Sequence, residues 1–241
     1  MARMAGIARA ARAAIKQSKH TGNNAGVQIN TEKCCFMKLA DKKIYLASKS
    51  PRRRELLRQI GIDFELLLND KEVDEQVLPN EKPADYVARV TRDKLLSARQ
   101  TMLYRQLPMR PILSADTTVV VDDLILGKPA DVREAVEMIT RLSGRTHQVL
   151  TSVAVAFQEQ MWQITQHSDV AFEALTDDMI RAYCSTQEPF DKAGGYGIQG
   201  LASIFIKDIA GSHSGIMGLP LFETAQLLQK TGMRILPQAT L

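Results

Sequence analysis

Most familiar signatures of phosphate, metal and nucleophile chemistry are missing from this sequence. There is no GxxxxGK[ST] loop, no GxGxxG after a strand, no HExxH, no GxSxG and no paired CxxC, so those routes to function have no footing here. Cysteine is scarce: Cys34, Cys35 and Cys184 form neither a ligand spacing nor a disulfide framework, which suits a reducing, cytoplasmic compartment. The four histidines, His20, His147, His167 and His213, contain no pair at ligand spacing, so no zinc site is expected. No apolar run is long enough to cross a bilayer, and no membrane partner is expected.

Acidic residues are also missing from the start of the chain. Residues 1–36 hold Arg3, Arg9, Arg12, Lys16, Lys19 and Lys33 against Glu32 alone, so they carry the excess behind the net charge of +4. The rest is nearly neutral, which gives no electrostatic case for a nucleic-acid partner. Such an Arg-rich, acid-poor segment fits an organellar targeting peptide or a dispensable extension ahead of a start at Met37. We read residues 1–36 as a dispensable or disordered extension and 37–241 as one interwoven domain of two lobes.

What is present begins with Ile44-Tyr-Leu-Ala-Ser-Lys-Ser-Pro-Arg-Arg-Arg-Glu-Leu-Leu57. A strand over 44–47 runs into a serine-rich turn, then a helix with Ser50 at the N-cap and Pro51 at its first position. Arg52, Arg53 and Arg54 crowd the first turn, where the helix dipole disfavours cations. An anion held by backbone N–H groups, hydroxyls and guanidinium forks would resolve the conflict. The alternative is an exposed arginine-rich turn.

Further along, 63–68 reads as a strand, and a helix begins near Ala84. On that helix Val87, Val90, Thr91, Lys94 and Ala98 share a face. Lys94 inside this stripe must snorkel out or meet an anion. A strand over 111–115 precedes a hairpin with arms 119–121 and 124–126. Asp131 caps a helix to Leu142 whose core stripe is Ala135, Met138, Ile139 and Leu142, and Gly144 follows it. A long hairpin turns at 158–160, Thr176 caps a short helix, a strand spans 204–209, and a last helix begins near Leu219. Strands and helices that mix without strict alternation imply an α/β fold with a mixed sheet flanked by helices.

Three segments carry candidate chemistry. Ser114-Ala-Asp-Thr117 sets an acid and a hydroxyl at the end of an apolar strand, where catalytic groups collect, and desolvation there would suit Asp116 to act as a base. Gly127-Lys-Pro-Ala-Asp131 offers Lys128 to a phosphate. In 188–200, four glycines within seven residues allow close backbone approach. Tyr196 would stack on a planar ring, and Gln199 would pair with a base edge.

In this order, these segments resemble the Maf family of nucleoside triphosphate pyrophosphatases. The matching pieces are Leu46-Ala-Ser-Lys-Ser-Pro-Arg-Arg53 with Glu55-Leu-Leu57, Val73-Asp-Glu75, Ser114-Ala-Asp-Thr117, and Gly127-Lys-Pro129. They continue with Leu142-Ser-Gly144 and His147, Asp191-Lys-Ala-Gly194, Gly197-Ile-Gln-Gly200, and Gly218-Leu-Pro-Leu221. The resemblance implies a twisted mixed sheet, two lobes around a deep cleft, and a homodimer. It implies hydrolysis of a nucleoside triphosphate between the α and β phosphates with a divalent cation, Mg²⁺ or Mn²⁺. Asp116 would be the general base and, with Glu75, a metal ligand. Ser48, Arg52, Arg53, Glu75, Lys94 and Lys128 would surround the triphosphate and metal. Thr117 and the Gly197–Gly200 run look like the subgroup acting on dTTP and UTP, which makes Arg52, Thr117 and Gln199 candidates for base selection. A nucleotide-binding regulator of cell division and a pyrophosphatase for a modified purine such as 7-methyl-GTP are the alternatives.

Overall fold

The computed structural model describes residues 43–68 and 73–236, so the expectation for residues 1–36 lies outside the described residues. Strand β1 (Lys43–Leu46) buries Ile44, Tyr45 and Leu46 in succession, as a strand covered on both faces must. Helix α1 (Pro51–Gln59) follows. The Ser50 side chain accepts from Arg53 N and Pro51 opens the helix, as the sequence implies. β2 (Asp63–Leu66) lies parallel to β1 on one side, and the strand Ile112–Val121, β3, lies parallel to it on the other.

Helix α2 (Pro83–Tyr104) packs its stripe of Val87, Val90, Thr91, Leu95, Ala98 and Met102 inward. β3 (Ile112–Val121) is one unbroken strand, where the sequence suggested a strand and a separate hairpin arm. The reason is non-local: β5 (Thr146–Phe157) pairs with β3 without interruption from Ile112↔Ala156 to Val120↔Gln148. β4 (Leu124–Leu126) returns along β3 through Asp122 and Asp123, both at positive φ (50° and 60°), the conformation of a tight two-residue hairpin turn.

Helix α3 (Val132–Leu142) is capped by Asp131, which accepts from Glu134 N at 2.8 Å, and it buries the four predicted core residues. β5 and β6 (Gln160–Phe172) form the expected long hairpin. Helix α4 (Asp177–Cys184) is capped by Thr176. β7 (Ile206–Ala210) starts later than the sequence suggested, because Leu201–Phe205 is wound into a 3₁₀ turn. A short helix α5 (His213–Ile216), capped by Ser212 and not anticipated, precedes α6 (Leu221–Lys230).

The seven strands form one mixed sheet in the order β2-β1-β3-β5-β6-β7, with β4 attached to β3. One core group joins α3 and α4 to β5–β6 around Ile139, Phe172 and Tyr183, and a second joins α1 and α6 to β1 and β3 around Leu46, Leu57 and Leu227. Among the described residues, no helix is long and apolar enough to cross a membrane.

Candidate active site

A strand has two edges. β5 fills one edge of β3, so β1 and β4 share the other, and they meet it at different heights. β1 pairs at Ile112 and Leu113, and β4 pairs only from Val119. Among the described residues, 114–118 therefore have no strand partner on that edge. A cleft of about 820 Å³ opens here, lined by the β1–α1 corner, the middle of β3, the end of β4 and the segment 191–200. Asp116 is thus in mid-strand and not at the strand end the sequence suggested. It faces the cleft because its neighbouring strand stops, the same circumstance that opens ligand crevices in doubly wound sheets.

Successive residues of a strand face opposite sides, and the site uses both. On the α2 side, Lys94 Nζ lies 2.7 Å from Asp116 Oδ1 and 2.8 Å from Glu75 Oε1. The lysine embedded in an apolar stripe has therefore met anions. Asp116 is buried, whereas the Glu75 side chain is half exposed. The Tyr86 hydroxyl donates to Glu75 O at 3.1 Å, and burial, reinforced by Asp116, pushes its phenol up to about 12. Beneath this group Ser114 Oγ donates to Thr91 O, and Thr91 Oγ1 donates to Val87 O, tying α2 to β3 one turn before Lys94.

On the opposite side, the Arg53 guanidinium donates to Gly218 O (2.7 Å), Ser48 Oγ (3.0 Å) and Thr117 Oγ1 (3.2 Å). Burial pushes this guanidinium below its ordinary value, and the Asp116 carboxylate pulls it back up. Thr117 Oγ1 also lies 3.0 Å from Thr151 Oγ1, which donates to Gly215 O at 2.8 Å. The Thr117 hydroxyl thus meets both Arg53 and Thr151 at the wall of the cleft. Arg52 reaches toward the segment 188–200 and pairs with Asp191 at 3.3 Å. Arg54 does not line the cleft, so two arginines converge here and not the three that the first turn suggested.

Lys128 and Gln199 also line the cleft and are exposed. The structure therefore brings Ser48, Arg52, Arg53, Glu75, Lys94, Asp116, Thr117, Lys128 and Gln199 to one cavity. Tyr196 is a correction. It was expected to stack on a ligand ring, yet it is buried, its hydroxyl lies 2.7 Å from His147 Nε2, and its ring meets His147 and Phe172 edge-on. An aromatic residue among glycines suggested an exposed platform, but the core behind the loop claims the ring. Sequence reasoning missed Tyr86, Thr151 and Glu188, whose bonds to backbone and hydroxyl groups have no local signature.

The Maf-like protein family matches residues 43–231, the span that contains every residue of this site. The chain belongs to the Maf family. It is 49% identical over 198 residues to the dTTP/UTP pyrophosphatase of Dechloromonas aromatica, covering 80% of this chain and 98% of that protein. It is 50% identical to the dTTP/UTP pyrophosphatase of Aromatoleum aromaticum (81% and 98% covered), and 47% identical to the nucleoside triphosphate pyrophosphatase of Haemophilus ducreyi (81% and 98% covered). Among solved structures, that of the Staphylococcus aureus Ham1 protein aligns with 54% of this chain and 71% of that one, at 11% identity and a TM-score of 0.36.

Proposed function

We propose that this Maf protein is a pyrophosphatase that hydrolyses dTTP and UTP to the monophosphate and pyrophosphate. The observation that carries this reading is the Glu75–Lys94–Asp116 cluster facing a basic corner across one cleft. Relatives about half identical over most of the chain, named dTTP/UTP pyrophosphatase, supply the substrate class. Phosphoanhydride hydrolysis needs alignment, charge neutralisation and a deprotonated water, with little covalent chemistry from the protein. Asp116 takes the proton of the attacking water as its oxygen adds to phosphorus and the α–β bridging bond breaks, releasing pyrophosphate. Arg52, Arg53 and Lys128 hold phosphate oxygens, with Ser48 and Thr117 keeping Arg53 in place.

Glu75 and Asp116 fit a divalent cation. Two carboxylates close enough to share one ammonium, beside a phosphate site, are the donor set that Mg²⁺ or Mn²⁺ completes with substrate oxygens and water. Such an ion would neutralise charge on the triphosphate and polarise it. With such an ion held by the two carboxylates, Lys94, which now pairs with both, would be free to contact the phosphates. Gln199 reads the base: its amide both donates and accepts, as the carbonyl–NH–carbonyl edge of uracil and thymine requires.

The test is pyrophosphate release from dTTP, UTP, CTP, dGTP and 7-methyl-GTP with Mg²⁺ or Mn²⁺, beside Asp116→Asn. Selective release from dTTP and UTP is expected, with kcat falling ~10²–10⁴-fold in a folded Asp116→Asn protein. Near-wild-type turnover in that variant would remove Asp116 from the role of base. Preference for 7-methyl-GTP would overturn the pyrimidine assignment.

A further inference from the structure

Gln199 is exposed and sits in a short turn closed by Gly200 N donating to Gly197 O at 3.0 Å. A base-reading amide on a free loop would lose most of its discrimination to motion, because ordering it on binding has an entropic cost. Something must hold the turn, and the carboxylate of Glu188 lies directly behind it. Glu188 Oε2 accepts from Leu201 N at 2.6 Å, and Oε1 accepts from Ala202 N at 3.2 Å. These are the two backbone N–H groups that follow Gly200, at the start of the 3₁₀ turn Leu201–Phe205. The carboxylate presses so closely on Gly200 that a Cβ there would meet both oxygens at 2.3 Å.

Glu188 is itself fixed. The Tyr183 hydroxyl lies 3.2 Å from Oε1 and 3.0 Å from Gly195 O, and burial pushes that phenol up, so it stays a donor. Lys192 Nζ donates to Glu188 O at 2.8 Å, and its stem fills the space where Gly197 would carry a Cβ. The Gln199 turn is therefore bonded through Leu201 and Ala202 to the Glu188 carboxylate and packed at Gly197 against the Lys192 stem.

We infer that Glu188 is the positioning residue for base selection: it fixes the Gln199 turn, and pyrimidine discrimination depends on it through Gln199. This rests on the reading that Gln199 meets the base. Glu188→Gln keeps the shape but turns an amide N–H₂ toward a backbone N–H, losing one acceptor where two donors wait.

The experiment measures kcat and KM for UTP and CTP, which differ on the edge Gln199 would read, in five proteins: wild type, Glu188→Gln, Gln199→Ala, the double variant of these two, and Gly200→Ala. Glu188→Gln should lower the UTP:CTP ratio of kcat/KM about tenfold, mostly through KM for UTP. In the Gln199→Ala background the same change should leave the ratio where it is, the non-additivity of two residues acting as one. Gly200→Ala, which drives a methyl into the carboxylate while leaving Glu188 in place, should reproduce the loss and serves if Glu188→Gln does not fold. A wild-type ratio in both Glu188→Gln and Gly200→Ala overturns the inference. So does an equal fall with and without Gln199, which would mean that Glu188 acts elsewhere. A wild-type protein with no preference for UTP over CTP overturns the base-reading assignment of Gln199, and this inference with it.

Discussion

Acid should destabilise this protein through one histidine. His147 is buried under the 193–200 segment, with Nε2 2.7 Å from the Tyr196 hydroxyl and, among the described residues, no hydrogen-bond partner for Nδ1. Burial holds its pKa down at about 4, against 6.5 for a free imidazole. Protonation would leave an N–H⁺ in the core without an acceptor, which is why the folded state resists it. The unfolded chain therefore binds this proton more readily. The stability tied to neutral His147 is complete above about pH 6.5 and drains as pH falls toward 4. At 1.36 kcal/mol per pKa unit, the loss is about 2 kcal/mol at pH 5 and roughly 3 kcal/mol below pH 4. For a domain of this size 2 kcal/mol lowers Tm by about 4–8 °C. The assay is thermal or urea unfolding at pH 8 and pH 5 for wild type and His147→Gln, which keeps a polar partner for Tyr196 but does not titrate. Salt-bridged carboxylates such as Glu65, Glu81 and Asp122, held low by their lysine and arginine partners, affect both proteins alike and cancel in the comparison. The wild type should lose about 2 kcal/mol more than the variant between the two pH values. Parallel losses would refute the reasoning.

Two further outcomes follow from the packing. Arg53→Lys keeps the charge but cannot hold Gly218 O, Ser48 Oγ and Thr117 Oγ1 together, so kcat/KM for the best nucleotide should fall ~10²-fold or more in steady-state assays; a loss under threefold would make the fork dispensable. Gly194→Ala puts a Cβ 2.9 Å from the Val119 side chain at φ +69°. It should lower the unfolding free energy by ~1–3 kcal/mol in urea titrations, and an unchanged midpoint would show that the loop can shift freely.

Local signals carried further in this sequence than long-range ones. Ser50, Asp131 and Thr176 were each legible as N-caps, and each side chain accepts from the backbone N–H three residues on, because a cap is a contract within four residues. Lys94 was legible as a misfit in an apolar stripe, though nothing local said that Glu75 and Asp116 would be its partners. The continuity of β3 was not legible, since it comes from β5 about thirty residues later. Tyr196 misled for a related reason: glycine neighbours describe the backbone around it, while His147 and Phe172, remote in sequence, decide where the ring goes.

The order of segments along the chain explains why the site forms where it does. β1 must leave the sheet after Leu46, because Ser48, Ser50 and Pro51 commit the chain to a turn and a helix start. β4 can rejoin only at Val119, because the turn at Asp122 and Asp123 fixes its register from Val121 backward and the strand is three residues long. Neither constraint concerns Asp116, yet together they leave it and Thr117 on an open edge held straight by β5. Alternation along the strand then sends Asp116 to the carboxylate–lysine side and Thr117 to the arginine side. A one-residue slip of β3 against β5 would exchange them, pointing Asp116 at Arg53 and leaving Lys94 in an apolar stripe with Glu75 alone. The long β5 pairing is therefore as much a part of the site as the residues that line it, because it decides which face of β3 each group presents.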